Sequence, residues 1–393
     1  MSLTPTEDQR AIQQSARAFL ADNAGLARLR AVLAAEPGWD EALWTAMARD
    51  LGWVGLMIPE ALGGSGLGAA EMALVLEQIG AVLAAAPFFE TAVEAVQAII
   101  LAGTQAQQAE LLPHLAAGEL KAALAMTGAD GRTAPDGIGV ELRREAGSWT
   151  LWGRADFVTH GHLADLIIVA ARAPGSTGLA GLSLIALPAS CEGLRTTLQP
   201  SLDRTRPYSR MDFDGVAVPA GAILGEPEAA GPALERLLAI CAGLLAAEQT
   251  GAAAFCLDST VDYVKQRVQF GRPVGSFQAV KHALADMMLR VEAARSAMLL
   301  AAAAIDQGDA AELFEAAACA RAYCSDAFSH CAAQAIQLHG GIGFTWEHHA
   351  HLFFKRARSC ATLFGEPSEH RERVARLMGL DEPVGPRTLQ EIA

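Results

Sequence analysis

The sequence has no basic tract and few aromatic residues. Its 393 residues carry 30 lysines and arginines against 44 aspartates and glutamates, a net charge of −14, and aromatics make up 6%. Nucleic acid is a poor partner for such a chain, because that interaction needs clustered positive charge. Alanine, leucine and glycine dominate instead, which favours helices that pack closely through small side chains.

Disulfide and secretion signals are also missing. The seven cysteines are an odd count and none forms a C-x-x-C pair, so structural thiols in a reducing compartment are the better interpretation. The first 20 residues contain no basic region followed by an apolar core, so they predict no signal peptide. We therefore expect a cytoplasmic protein.

One apolar stretch, residues 237–257, is long enough to suggest a membrane span. Its only charge is Glu248, which lies beside Gln249 and Thr250 near the middle, where hydrocarbon would oppose polar groups most. We expect a buried helix of a soluble protein and no membrane partner. A lone carboxylate in such a helix shifts its pKa, finds a partner or does chemistry, because desolvation disfavours its charge.

Common catalytic and nucleotide-binding motifs are absent from the sequence. It contains no G-x-S-x-G elbow, no P-loop and no G-x-G-x-x-G after a strand. His348, His349 and His351 lie together in EHHAH, but their spacing is not the i, i+4 pair of a helical zinc site. We expect no metal site and a packing role for these histidines.

The periodicity of the sequence changes twice. Residues 1–120 show apolar spacing typical of helices, with a Gly-rich turn at 59–68. Short β-type runs separated by Gly, Pro and Asp follow over 121–225. Residues 226–393 return to long helical patterns, which are typical of an antiparallel bundle. The sequence thus predicts a mainly α protein with a central β domain between two helical domains.

Two glycine-containing segments are the most informative. They are RVQFGRPVGSFQAVK (267–281) and QLHGGIGFTWEHHAHLFFKRARS (337–359). Their glycines let the backbone approach a bulky ligand, and Arg267 is suited to neutralise a pyrophosphate. Both segments, the helix–β–helix order and PEALGGSGLGAAEMALVLEQIG near the N-terminus closely resemble the acyl-CoA dehydrogenase family of flavoproteins.

The resemblance implies a fold, a cofactor and a reaction. The fold has an N-terminal helical domain, a β-barrel-like middle domain and a C-terminal four-helix bundle. FAD is the cofactor, an acyl-CoA thioester is oxidised to the 2,3-enoyl-CoA, and an electron-transfer flavoprotein accepts the electrons. By position, the residues implied near FAD are Met126, Thr127, Phe157 and Thr159, together with Arg267, Phe270, Gln278, Gln337, Gly340 and Gly341. Since a neighbouring subunit supplies much of this second set in the family, the resemblance implies a homotetramer or a heterotetramer with a paralogous subunit.

The catalytic base is where the chain departs from the family. Most members keep a glutamate just before a glycine, at the position that holds Phe364 before Gly365 here, and a phenyl ring accepts no proton. A second family arrangement uses the helix position that corresponds to Cys241. Glu248 lies two turns further on nearly the same face, so we predict Glu248 as the base. Glu366 is the rival.

Two other functions stay open at this point. If the chain carries no base, it is a non-catalytic or half-site subunit of a heteromeric dehydrogenase. The other alternative is an acyl-CoA oxidase of the same fold. The structural alternative for Glu248 is a buried acid paired with an arginine. Small residues near it, Ala246, Ala247 and Gly251, predict room for a branched, cyclic or steroid-like acyl group.

Overall fold

The N-terminal third of the chain is helical. The computed structural model describes residues 4–35, 38–145 and 147–380. Thr6 caps the first helix: its hydroxyl accepts the N–H of Gln9, and the Gln9 side chain accepts the N–H of Thr6. A π-helical segment, Glu90–Ala95, runs directly into the fifth helix. The helices are α1 Glu7–Asn23, α2 Leu26–Ala34, α3 Glu41–Thr45, α4 Ala69–Val82, α5 Val96–Ala102 and α6 Gln105–Ala116.

The middle of the chain forms a seven-stranded sheet. The strands are β1 Ala122–Ala125, β2 Val140–Glu145, β3 Ser148–Thr159, β4 Leu166–Arg172, β5 Leu182–Pro188, β6 Leu194–Gln199 and β7 Tyr208–Val218. Their order is β1-β4-β2-β3-β7-β6, and β5 pairs with β4. β1 and β4 are parallel, whereas β3, the longest strand, is antiparallel to β7. The carboxyl ends of β1 and β3 both lead into the site described below.

Long helices return after the sheet. They are α7 Gly231–Gln266, α8 Gln278–Gln307, α9 Ala310–His339, α10 Ala350–Cys360 and α11 Pro367–Leu377, and the short strands β8 Val268–Gln269 and β9 Arg272–Pro273 join α7 to α8. Over the described ranges, α7 is the one helix long and apolar enough to span a membrane, but 89% of its most apolar window is buried inside the protein. It is the central core helix.

Glycines allow a close helix contact where α4 crosses α7. A Cβ atom on Gly80 would lie 1.9 Å from the carbonyl oxygen of Glu248, and one on Gly251 would lie 1.7 Å from that of Glu77. Gly251 therefore serves helix packing. The room for a bulky acyl group beside it stays a prediction. The crossing also fixes the depth of Glu248.

The predicted fold class is confirmed: helices, then a sheet, then a helical bundle follow one another along the chain. The connections between these regions are residues 117–121 and 219–230, which contain the predicted boundaries at 120 and 225. The division into three separate domains stays a prediction.

Candidate active site

A cavity of about 680 Å³ opens between the sheet and the C-terminal helices. On the sheet side, its wall includes Thr127, which follows β1, and Phe157, which lies in β3. Lys355, Arg358 and Ser359 of α10 contribute to the helical side. The remaining lining residues are Asp130, Gly131, Arg132, Thr133, Pro200, Ser201, Leu202, Asp203, Tyr208, Thr362, Leu363, Glu366 and Glu369.

The sheet wall is held in an unusual backbone conformation. Phe157 has a φ of 55°, which is rare for a bulky residue, and its ring is 40% exposed and packs edge-on against Tyr208 at 5.9 Å. The N–H of Asp156 donates to the carbonyl oxygen of Thr127 at 2.8 Å, so the two strand ends are joined. Phe157 and Thr127 thus line the same side of the cavity, and an aromatic ring there is a suitable wall for a flat heterocycle. Met126 and Thr159 are buried behind this wall and do not line the cavity.

The other predicted FAD residues lie on the surface. We call them the surface turn residues, and they are Arg267, Phe270, Gln278, Gln337, Gly340 and Gly341. The structure brings their two segments together, because the Tyr263 hydroxyl donates to the carbonyl oxygen of His339 at 3.2 Å and the two rings stack. None of the six lines the cavity, and Phe270 is 91% exposed.

The surface turns have room for a bulky group. A Cβ atom on Gly271, Gly340 or Gly341 would have no neighbouring atom within 4 Å. Gly271 and Gly340 also have positive φ angles of 75° and 66°, a backbone conformation that residues other than glycine disfavour. An open backbone beside an exposed guanidinium fits the pyrophosphate of a dinucleotide.

Glu248 is deeply buried and paired with two arginines. Its side chain is 2% exposed, and its two oxygens accept from the guanidinium groups of Arg206 at 2.7 Å and Arg356 at 2.5 Å. Arg356 also donates to Asp203 at 2.9 Å, and Arg206 lies 3.4 Å from Glu90. Together with His160, these residues form the interior charge network: Glu90, His160, Asp203, Arg206, Glu248 and Arg356.

The two candidate bases, Glu248 and Glu366, therefore differ in whether they reach the cavity. Glu248 does not line the cavity, and both of its oxygens are occupied by cations, whereas Glu366 is exposed and does line it. Phe364, in the usual base position, is buried and contacts the ring of Phe89 at 6.0 Å. The assignment of Glu248 as base stays a prediction, and the pairing of both its oxygens favours the structural alternative.

A buried arginine holds the turn that carries Glu366. Arg321 donates to the carbonyl oxygens of Cys360 at 2.5 Å and Leu363 at 2.7 Å, and also approaches Gln249. Burial lowers the pKa of Arg321 to about 10. His370 approaches the carbonyl oxygen of Phe364 at 2.8 Å. The turn is thus positioned from both sides by charged or polar side chains.

Sequence reasoning missed most of the interior charge network. Glu90 and Glu94 stand in the apolar run APFFETAVEAVQAII just as Glu248 stands in its own helix, so the same argument would have found them. Arg206 and Arg356 carry no such signal, because they lie in polar segments. Burial raises the pKa of Glu94 well above its usual value, with the Glu90 charge adding to it. Burial also acts to raise the pKa of Glu90, but His160 and Arg206 outweigh it and lower that pKa to about 2.

Comparison with known proteins agrees with this architecture. Residues 6–119 match the family model for the acyl-CoA dehydrogenase N-terminal domain, and residues 233–379 match that for the C-terminal domain. Acyl-CoA dehydrogenase IpdE2 of Mycobacterium tuberculosis is 35% identical over 93% of this chain and 96% of its own length.

Two solved structures have the same fold. A variant of the Tcur3481-Tcur3483 steroid ACAD is 30% identical and superimposes with a TM-score of 0.84, covering 95% of this chain and 98% of its own. The ChsE4-ChsE5 complex from Mycobacterium tuberculosis is 24% identical and gives a TM-score of 0.87 over 98% of this chain and 100% of its own. The chain therefore belongs to the acyl-CoA dehydrogenase family and is an FAD-dependent oxidoreductase.

Proposed function

We propose that the protein oxidises an acyl-CoA thioester at its Cα–Cβ bond to the 2,3-enoyl-CoA. The observation that carries this proposal is that Thr127, Phe157 and Glu366 line one cavity. Bound FAD supplies the acceptor for the β-hydride. The chain's own residues cover one face of the flavin ring with Phe157, orient it through Thr127 and place a carboxylate on the wall of the same cavity.

Glu366 is the proton acceptor best placed for this reaction. It is the only one of the two candidate carboxylates that lines the cavity, and general base catalysis requires reach before a suitable pKa. Arg321 and His370 hold the turn on which Glu366 stands. In this proposal Glu248 balances the charges of Arg206 and Arg356 and takes no proton from the substrate.

The surface turn residues support an oligomeric enzyme. Their exposure and their separation from the cavity are what we expect of groups that complete the FAD site of a neighbouring subunit. We propose a tetramer, in the cytoplasm, that passes its electrons to an electron-transfer flavoprotein. The solved relative at 30% identity is described as a steroid ACAD under a paired name, which favours a bulky acyl group and a paralogous partner chain.

Paired carboxamide substitutions test the choice of base. We expect Glu366→Gln to abolish bleaching of bound flavin by acyl-CoA thioesters, with unchanged flavin content. The same assay on folded Glu248→Gln should retain turnover, and Glu372→Gln, an exposed residue further along α11, is the control. Loss of turnover in Glu248→Gln with full flavin and unchanged stability would restore Glu248 as the base. Peroxide formation under air distinguishes an oxidase.

A second candidate function is a half-site subunit of a heteromeric dehydrogenase. It is favoured by the aromatic ring at position 364 and by the occupied oxygens of Glu248. In that case the purified chain alone would bind little flavin and bleach with no thioester, whereas mixing with a paralogous chain would restore both. Flavin absorbance of the chain with and without that partner separates the two functions.

A further inference from the structure

Glu369, near the start of α11, lies where two cavities meet. It lines the cavity of about 680 Å³ described above and also a second cavity of about 200 Å³ beside α7 and α9. The turn that precedes α11 borders both cavities, because Phe364 and Gly365 line the second one and Glu366 lines the first. Glu369 is therefore placed to act on the residue that we propose as the proton acceptor.

The turn before α11 has a demanding backbone conformation. Phe364 and Gly365 have φ angles of 54° and 98°, and bulky residues such as phenylalanine avoid positive values. A Cβ atom on Gly365 would lie 2.9 Å from Nε2 of His370. A backbone of this kind persists only where the surrounding structure holds it in place. The position of Glu366 at the end of the turn thus depends on the contacts that fix it.

Glu369 holds the backbone of Glu366 and connects it to the sheet side of the cavity. Its Oε2 accepts the N–H of Glu366 at 2.9 Å, and its Oε1 lies 3.4 Å from a guanidinium nitrogen of Arg132. Arg132 belongs to the loop between β1 and β2 and also lines the cavity. The carbonyl oxygen of Glu366 accepts the N–H of His370 at 3.1 Å. Both backbone groups of Glu366 are thus engaged.

The carboxylate of Glu366 is held more loosely than its backbone. The Ser368 hydroxyl donates to Oε2 of Glu366 at 3.4 Å, which is longer than an ordinary O–H···O hydrogen bond. The Glu366 side chain is exposed on the cavity wall. A residue with a fixed backbone and a weakly bound carboxylate has its proton acceptor both positioned and available.

We propose that Glu369 is a positioning residue for proton transfer, whose carboxylate holds the backbone of Glu366 so that the Glu366 carboxylate stays within reach of the α-carbon of the substrate. This inference rests on the proposed function, in which Glu366 takes the α-proton. A small misplacement of a catalytic group slows the chemical step strongly. Loss of the hydrogen bond from Glu366 should therefore lower kcat and leave substrate binding almost unchanged.

Substitutions at position 369 separate the hydrogen bond from the charge. Per bound flavin, Glu369→Ala should lower kcat at least ~10-fold and change KM by less than ~2-fold, since the contact acts on the chemical step. Glu369→Met, of similar length but without an oxygen, should do the same. Glu369→Gln keeps an acceptor that serves a helix start equally well, so its kcat should stay within ~3-fold of the unaltered protein. Glu372→Ala, exposed on the same helix, is the control.

A proton-exchange measurement makes the result independent of hydride transfer. In a 3-thiaacyl-CoA, sulfur replaces the β-carbon, so the base can remove an α-proton but no hydride can leave. In D2O, mass spectrometry follows the replacement of the α-protons by deuterium. We expect the exchange rate to fall at least ~10-fold in Glu369→Ala and to stay within ~3-fold in Glu369→Gln.

The variants also separate failure of this inference from failure of the proposed base. If Glu366→Gln is inactive while folded Glu369→Ala and Glu369→Met keep full kcat, the positioning role is overturned alone. A Glu369→Gln variant as slow as Glu369→Ala would overturn it as well, because the hydrogen-bond acceptor is still present. Full activity of Glu366→Gln would instead remove Glu366 as the base, and the positioning role of Glu369 with it.

Discussion

The interior charge network and the surface turn residues differ in how far their charged groups are exposed to solvent. In the network, Glu248 lies between Arg206 and Arg356 with almost no exposure to solvent. Arg267, among the surface turn residues, is exposed. Buried charges must be compensated within the chain, because water cannot screen them. Exposed charges need no partner, so they remain available for a cofactor or a neighbouring subunit.

This difference separates folding from function. A substitution in the network should act first on the stability of the chain, whereas one at the surface turns should act on cofactor binding and assembly. Substitutions in the two regions test that separation.

Glu248→Gln should be strongly destabilising. It leaves the buried charges of Arg206 and Arg356 without their shared carboxylate, and breaking such a pair costs about 3–5 kcal/mol. The free energy of unfolding from denaturant titration is the measurement. Glu372→Gln, exposed on α11, should change it by less than about 0.5 kcal/mol. Equal stability of the two variants would mean that Glu248 is not held by the network.

Glu90 should make the protein sensitive to acid. Its pKa is lowered from an ordinary 4.5 to about 2 in the folded chain, so its contribution is complete above about pH 4.5 and is lost as the pH falls toward 2. Glu90→Gln should therefore cost about 2 kcal/mol at neutral pH, and this difference should shrink with acidification. The thermal midpoint between pH 7 and 3 measures it, and a constant difference across that range would contradict the assignment.

Glu94→Gln should raise the stability of the protein, whereas Glu90→Gln should lower it. The pKa of Glu94 is raised by burial and by Glu90, so its contribution is complete below the ordinary pKa and is lost as the pH rises through the raised value. Replacing this acid with a neutral amide should stabilise the protein by about 1 kcal/mol at alkaline pH and have less effect in acid. A loss of stability at alkaline pH would show that its charged form is the one compensated.

Arg267→Ala should leave stability almost unchanged. Because the side chain is exposed at the end of α7, we expect a change of less than about 0.5 kcal/mol. The flavin absorbance of the purified protein should nevertheless fall at least ~10-fold, since a charge-assisted contact to the pyrophosphate is lost. Lys265→Ala, two residues earlier and also exposed, is the matched control and should keep full flavin content.

The local elements could be predicted from the sequence because their signals are local. The helical spacing before residue 120, the β-type runs to residue 225 and the long apolar helix around Glu248 all appear in the structure. The family resemblance predicts Thr127 and Phe157 at the flavin, and both line the cavity. The isolation of Glu248 allows a paired, structural acid, but nothing in the sequence indicates which arginines pair with it.

The amino-acid sequence by itself determined the family, the order of helices and strands, and the isolation of Glu248 in an apolar helix. Only the tertiary structure decided that Arg206 and Arg356, 42 and 108 residues away along the chain, neutralise that glutamate. It also decided that Glu366 faces the cavity. The reason is physical: helical and strand periodicity act over a few residues, whereas the compensation of a buried charge depends on whichever distant side chains the fold brings within a few ångströms.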